Sequence, residues 1–197
     1  MSRPLLTTNP IEVTDTGHLT ELLYDDGEND EVVVCAAHGG AVEPGTAEQA
    51  IELATRIGAT CWACTGFDSD VGAFDAFHPP SSAITPETYD LLDAIDDRAF
   101  ETVISLHGLG DDRVLVGGGI DPARKRRIRD RFDDALSVPV AVATGDGAYA
   151  GTAEENFVNW LAAGRGGLQL EQGQTARSDE SEAVLSTIRG LLRDGVL

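Results

Sequence analysis

Glu31-Val32-Val33-Val34-Cys35-Ala36-Ala37-His38-Gly39-Gly40 decides the fold. Residues 31–37 form a continuous apolar, β-branched run with no alternation, the pattern of a strand buried on both faces. The run stops at a histidine followed by two glycines, which let the chain turn sharply. Thr46 and Gln49 then read as a capping box ahead of a helix through about Ile57, stopped by Gly58. Residues 59–66 form the next apolar strand.

The alternation continues outward. Residues 68–82, with Gly72, Pro79 and Pro80, read as a long surface loop. Thr85-Pro86 is expected to cap a helix through about Ile95, with proline at its favoured first position. Residues 100–106 are a buried strand ending at His107-Gly108, and residues 113–116 a short strand before Gly117-Gly118-Gly119. Asp121-Pro122 starts a helix to about Leu136, and residues 138–143 are a strand. Thr152 and Glu155 read as a second capping box, opening a helix to about Ala163. Residues 167–171 are a strand, and Ser178 is expected to cap the terminal helix. With no repeats and no linker, residues 1–197 are expected to form one α/β domain, a three-layer αβα arrangement around a mixed, mostly parallel sheet.

Charge narrows the setting. The chain has 34 acidic residues against 14 basic ones, a net charge of -20, and Lys125 is its single lysine. In molar salt the Debye length is roughly 3 Å, so such a surface stops repelling itself; the composition reads as halophilic, with an acidic mesophilic protein as the other reading. The melting temperature is therefore expected to fall on dilution from molar to low salt, and an unchanged or higher value at low salt would remove this reading. The same charge argues against nonspecific nucleic-acid binding, which needs cations along phosphates. No apolar run approaches a membrane span, and residues 1–9 lack a basic region followed by an apolar stretch, so a cytoplasmic location is expected. Cys61-Trp-Ala-Cys64 has redox spacing but lies in an apolar run, which favours buried strand thiols.

His38, His107 and Glu171 each end a strand, and in open α/β sheets sites form beyond the carboxyl ends of strands. Glu43 stands five residues past His38, across the glycine turn. Two imidazoles and a carboxylate are the ligands of a catalytic zinc site that keeps a position for water. Spacing alone equally allows satisfied polar groups at strand ends. His78, in the long loop, can orient substrate or serve the surface, and His18 reads as solvent-facing. Asn156 and Asn159 stand three apart on one helix and can both face the site; packing or capping is the other reading. The basic helix carrying Arg124, Lys125, Arg126, Arg127, Arg129 and Arg131 fits pairing with acidic neighbours, a landing patch for a polyanion, or nucleic-acid contact.

His38-Gly-Gly-Ala-Val-Glu43-Pro-Gly-Thr46 resembles the first motif of the poly-γ-glutamate hydrolase family, also known as phage-related replication proteins. Phe77-His78 with Ser81 and Ser82, Ser105-Leu-His107-Gly, Val114-Leu-Val-Gly117-Gly118, Asn156-Phe-Val-Asn159 and Gly167-Leu-Gln-Leu-Glu171 followed by Arg177 continue the match in order. Pro79-Pro80, Trp160 and residues 172–175 depart from the family pattern. The resemblance implies a zinc carboxypeptidase-like fold, with zinc held by His38, Glu43 and His107. By the same resemblance Glu171 would be the general base, and Arg177 would face a substrate carboxylate or the developing oxyanion. His78, Asn156 and Asn159 would contact substrate. The implied activity is zinc-dependent hydrolysis of an amide bond near a free carboxylate, with poly-γ-glutamate or another anionic γ-glutamyl peptide as substrate. A zinc amidohydrolase of N-acyl amino acids or small peptides is the alternative enzyme. A noncatalytic, phage-related nucleic-acid-associated protein is the alternative from another class.

Overall fold

In the computed structural model the opening run becomes β3 (Val32–Gly40), near the middle of an eight-stranded sheet. The structure describes residues 5–25, 27, 31–145 and 149–197; residues 1–4, part of the segment read for a leader, lie outside the described residues. The other strands are β1 (Leu5–Val13), β2 (Gly17–Asp25), β4 (Thr60–Asp68), β5 (Thr102–Gly108), β6 (Val114–Gly118), β7 (Val140–Val142) and β8 (Leu168–Gln172). The helices are α1 (Thr46–Ile57), α2 (Ala73–Phe77), α3 (Asp90–Asp93), α4 (Pro122–Asp133), α5 (Phe157–Trp160), α6 (Gln174–Arg177) and α7 (Ser181–Arg193).

The strand order is β1-β2-β4-β3-β5-β8-β6-β7. The central run β4-β3-β5-β8 is parallel, whereas β1 and β2 pair antiparallel at one edge and β6 runs against β8. The sheet is thus mixed, as expected, but its N-terminal hairpin was not read from the sequence. Nearly every residue of β1 is exposed, so no apolar alternation marks it.

The long helices α1, α4 and α7 cover one face, burying Leu53, Ile128, Phe132 and Ile188 against the sheet. The other face packs Trp62, Phe100, Ile95 and Phe157 under the single-turn helices α2, α3 and α5. Cys61 faces the first layer and Cys64 the second, so the two thiols point to opposite sides of β4. Both are buried and free, and burial pushes the Cys61 thiol up to about 12. The pair is structural.

Several helix limits differ from the sequence reading, each for a physical reason. The helix expected over 86–95 shrinks to α3, because Pro86 opens only a turn and Glu21 of β2 starts the helix instead. Its carboxylate accepts the Leu91 and Leu92 amides at 3.0 and 2.8 Å. The helix expected over 152–163 starts later, at α5, whose cap is Asn156 and not Thr152; Ala163 (φ 49°) and Gly164 (φ 77°) then turn the chain away. The long loop carries α2 and a 3-10 turn over Ser81–Ala83. Gly45 is the N-cap of α1, while the Thr46 hydroxyl donates to the Glu43 carbonyl and Gln49 turns inward, so no capping box forms. Gly58 ends α1 in the left-handed conformation, as expected. Ser178 closes α6, and α7 starts at Ser181 behind Glu180.

Glu21 also accepts the Trp62 indole N–H at 2.7 Å, and it is fully buried. Its truncation leaves two buried donors, the Trp62 indole and the Leu92 amide, and the part-buried Leu91 amide without an acceptor, each buried one worth about 1–3 kcal/mol. Glu21→Ala is expected to lower unfolding free energy by about 3 kcal/mol or more in denaturant titrations, and Glu21→Gln, which keeps one oxygen, by less. A loss under about 1 kcal/mol for the alanine variant would show that α3 is not anchored this way.

On α4, Asp121 caps the helix as expected, accepting from the Ala123 and Arg124 amides. Arg124 donates to the Val196 carbonyl, Arg129 pairs with Asp130 and Arg131 with Asp194. These arginines are engaged with this chain's own groups, in line with the pairing reading of the basic helix.

Candidate metal centre

The carboxyl ends of β3, β5 and β8 lie side by side, and each delivers one side chain. The β3–β5 ladder ends at Cys35 and Ser105, so His38 and His107 stand beyond its last rung. Between Ala36 and Gly39 the β3–β4 register slips by one residue, a bulge that re-aims His38. Gly39 is required there, because a Cβ would sit 2.4 Å from the Ala47 Cβ. On β8, Glu171 pairs in register with His107. The turn after β3 is closed by the Glu43 N–H donating to the His38 carbonyl at 2.7 Å, which folds the Glu43 side chain back onto the strand ends.

Glu43 is the hub. Its Oε1 lies 3.5 Å from His38 Nδ1 and its Oε2 3.6 Å from His107 Nδ1, both too long for hydrogen bonds. His78 Nε2 donates to Oε1 at 3.1 Å. The ligand-capable atoms of His38, Glu43 and His78 all lie within 4.8 Å of one another. The outer nitrogens are tied down. His38 Nε2 donates to the Pro79 carbonyl at 2.9 Å, which leaves its Nδ1 as a lone pair turned inward. His107 Nε2 meets the Ser105 hydroxyl at 2.8 Å. Metal-bound histidines are held in this way, by a partner on the nitrogen away from the ion.

The electrostatics suit a cation. His38 Nδ1 and Glu43 Oε2 are buried and make no hydrogen bond, an expensive arrangement unless something else occupies the gap between the side chains. Burial alone would raise the Glu43 carboxyl, but the imidazoles of His107, His38 and His78 reverse this and hold it well below the usual carboxylate range. Burial keeps His38 below its ordinary value and so neutral, the form that binds metal. His107 is pulled the other way: burial lowers it, and Glu43 and Glu171 more than offset that. With His107 giving up its proton as an ion binds, two imidazole nitrogens and one carboxylate would be a donor set that zinc accepts.

Glu171 is 5% exposed, and burial pushes its carboxyl above the ordinary value despite His107 nearby. Gln169 Nε2 donates to its Oε1 at 2.8 Å. A cleft of about 890 Å³ opens over these groups, with His38, Glu43, His107, Glu171, His78 and Asn156 in its wall. Phe74, at the rim, stacks on His78 with ring centres 4.1 Å apart.

Two expected contacts are placed differently. Asn159 is not among the residues lining the cleft. Its Oδ1 accepts the Gly119 and Gly167 amides and its Nδ2 donates to the Gly151 and Ala153 carbonyls, so its amide is saturated by backbone. Arg177 stands beside Glu43 and Gly108, donating to the Gln172 carbonyl at 3.0 Å and the Pro44 carbonyl at 2.8 Å. Arg177→Ala is therefore expected to slow neutral and carboxylate-bearing amides alike and to loosen metal binding. A loss confined to carboxylate-bearing amides would place Arg177 on the substrate. Ser105 and Gln169 are the partners that sequence reasoning missed; each stands two residues before a site residue on its own strand, hence on the same face.

A family model described as poly-gamma-glutamate hydrolase matches residues 12–182. The SPbeta prophage-derived UPF0714 protein YoqZ of Bacillus subtilis (strain 168) is 30% identical over 142 residues, covering 71% of this chain and 48% of its own length. The chain thus spans about half the length of that curated relative. Among solved structures, a bacteriophage poly-gamma-glutamate hydrolase superposes with a TM-score of 0.73 at 19% identity, covering 93% of this chain and 91% of its own. Zinc-free YndL gives 0.72 at 23% identity, with 94% of each chain covered. A candidate carboxypeptidase A of Shewanella denitrificans OS-217 gives 0.54 at 16% identity, covering 97% of this chain and 65% of its own.

Proposed function

The chain belongs to the poly-gamma-glutamate hydrolase family, and from that membership we propose that it is a zinc-dependent hydrolase of amide bonds beside a free carboxylate, with poly-γ-glutamate as first substrate. The observation that carries the reading is the pair of inward, partnerless atoms, His38 Nδ1 and Glu43 Oε2, between two imidazoles whose far nitrogens are already bound. His38, Glu43 and His107 would hold the ion. When bound, zinc supplies Lewis acidity, polarising a carbonyl and making water a nucleophile near neutral pH.

The protein's own groups supply the rest. Glu171 accepts the proton of the attacking water at its carboxylate and returns it to the leaving amine. Burial raises its affinity for that proton, which suits a group that must hold it between the two transfers. His78 lies at the cleft edge beside Glu43, where it can meet a substrate oxygen. Phe74 and Tyr149 give the cleft wall apolar surface beside the polar site groups.

The test combines metal analysis with hydrolysis of poly-γ-glutamate, α-linked polyglutamate and N-acyl amino acids. About one zinc per chain and cleavage of the γ-linked polymer are expected. Cleavage of the acyl amino acids alone would move the substrate to the amidohydrolase class, and metal-free protein with no turnover of any would remove the enzymatic reading.

A further inference from the structure

We infer that Asn156 and Gln169 form a one-way amide relay that orients the Glu171 carboxylate, which makes both of them positioning residues; the inference rests on the role of Glu171 proposed above. The three side chains are nearly fully buried, at 5%, 3% and 5% exposure, and they are joined by two hydrogen bonds in series. Asn156 Nδ2 donates to Gln169 Oε1 at 2.9 Å, and Gln169 Nε2 donates to Glu171 Oε1 at 2.8 Å.

The direction of the relay follows from the fold. Asn156 caps α5, and its Oδ1 accepts the Val158 amide at 3.2 Å. With that oxygen spent on the helix, the amino end faces Gln169. Gln169 must then turn its carbonyl toward Asn156, and its own amino group faces Glu171. Gly151 stands against this end of the amide, where a Cβ would sit 2.5 Å from Gln169 Oε1, so the position is kept free of a side chain that would push Gln169 out of the relay. Gln169 and Glu171 stand at i and i+2 on one face of β8. On the neighbouring strand Ser105 and His107 repeat the device, and the two pairs lie in register, Ser105 beside Gln169 and His107 beside Glu171. On β5 and β8 the site side chain is thus oriented by the residue two positions earlier. The α5 cap, whose ordinary work is to start a helix, sets the polarity of the β8 pair.

A relay with polarity can be reversed. Asn156→Asp keeps an acceptor for the Val158 amide, and aspartate caps helices as well as asparagine does. It removes the donor facing Gln169, whose amide must flip to donate toward the new carboxylate. Its carbonyl then meets Glu171, and the base loses its donor and gains a repelling oxygen. Gln169→Met removes the relay at its middle while filling similar space.

Steady-state kinetics, zinc content and melting temperature are measured on Asn156→Asp, Gln169→Met and the double variant. Each single variant is expected to lower kcat by about ten- to a hundredfold, the range seen when outer partners of site groups are lost. KM should stay within about twofold, with zinc and melting temperature near those of the parent. The double variant should be no worse than the worse single one, because both act through one hydrogen bond. Losses that multiply in the double variant would mark a plain charge effect of the aspartate and overturn the relay, as would a normal kcat in Gln169→Met. If Asn156→Asp fails to fold, Gln169→Met decides alone. A parent-like Glu171→Gln would instead sink the reading of Glu171; an impaired Glu171→Gln beside parent-like relay variants sinks only this inference.

Discussion

His38→Ala is expected to lose both the metal and the activity, leaving turnover at the level of the parent treated with a chelator. The reasoning starts from the lone pair on Nδ1. Its Nε2 proton is committed to the Pro79 carbonyl, so the ring presents a fixed, neutral donor toward Glu43 and His107. Removing that donor leaves one imidazole and one carboxylate of the expected set, too few for a structural hold on zinc. Stability provides a readout that does not pass through catalysis. An ion that binds the folded chain alone adds about 4 kcal/mol when free metal stands a thousandfold above its Kd. Chelation should therefore lower the melting temperature of the parent and leave that of His38→Ala nearly unchanged. Stoichiometric zinc retained by His38→Ala would mean that another set, such as one built on His78, holds the ion. No metal-dependent shift in the parent would remove the site altogether.

How much of this was legible depended on whether function interrupts a pattern. His38 and His107 were visible because each breaks an apolar, β-branched run where a buried strand must end, and Glu171 because it closes a short leucine-bearing strand. Glu43 was visible through the glycine turn that precedes it. The central strands followed from such runs, and α1, α4 and α7 from the capping and stop residues around them. The β1–β2 hairpin did not, because an exposed edge strand carries no burial pattern. Helix starts moved where another residue took the capping role: Glu21 reaches α3 from another strand, and Asn156 caps α5 in place of Thr152. At α1 the start held but the capping box did not, because Gln49 is drawn inward by Gln172, Ala176 and Ser181. Asn159 looked like a site residue because it shares a helix with Asn156, yet four backbone partners hold it. Ser105 and Gln169 were hidden by their setting, since a single polar residue inside an apolar strand reads as part of the run. Their i, i+2 spacing from His107 and Glu171 was the available signal.

Glu171→Gln is expected to keep the metal and lose about 10² to 10⁴ in kcat, the usual cost of a missing general base. Glutamine preserves the shape and one oxygen, so the hydrogen bond from Gln169 survives in one amide orientation. What disappears is the site that takes the proton from water and returns it to the amine. His38, Glu43 and His107 remain, so zinc content should stay near one per chain. The direction of the pH dependence follows from burial. The Glu171 carboxyl sits above its ordinary value, so it is protonated, and idle as a base, at a higher pH than an exposed glutamate. Folding sees the same shift with the opposite sign to a salt-bridged acid: the raised value favours the native state when the group is protonated, and that contribution is lost as pH rises through the folded value. Activity should rise with pH as Glu171 ionises, while its contribution to stability falls, and both trends should vanish in Glu171→Gln. A variant that arrives without zinc would make Glu171 a ligand and displace Glu43 from that role. A variant that turns over normally with zinc bound would leave the proton transfers to another group in the cleft, such as His78.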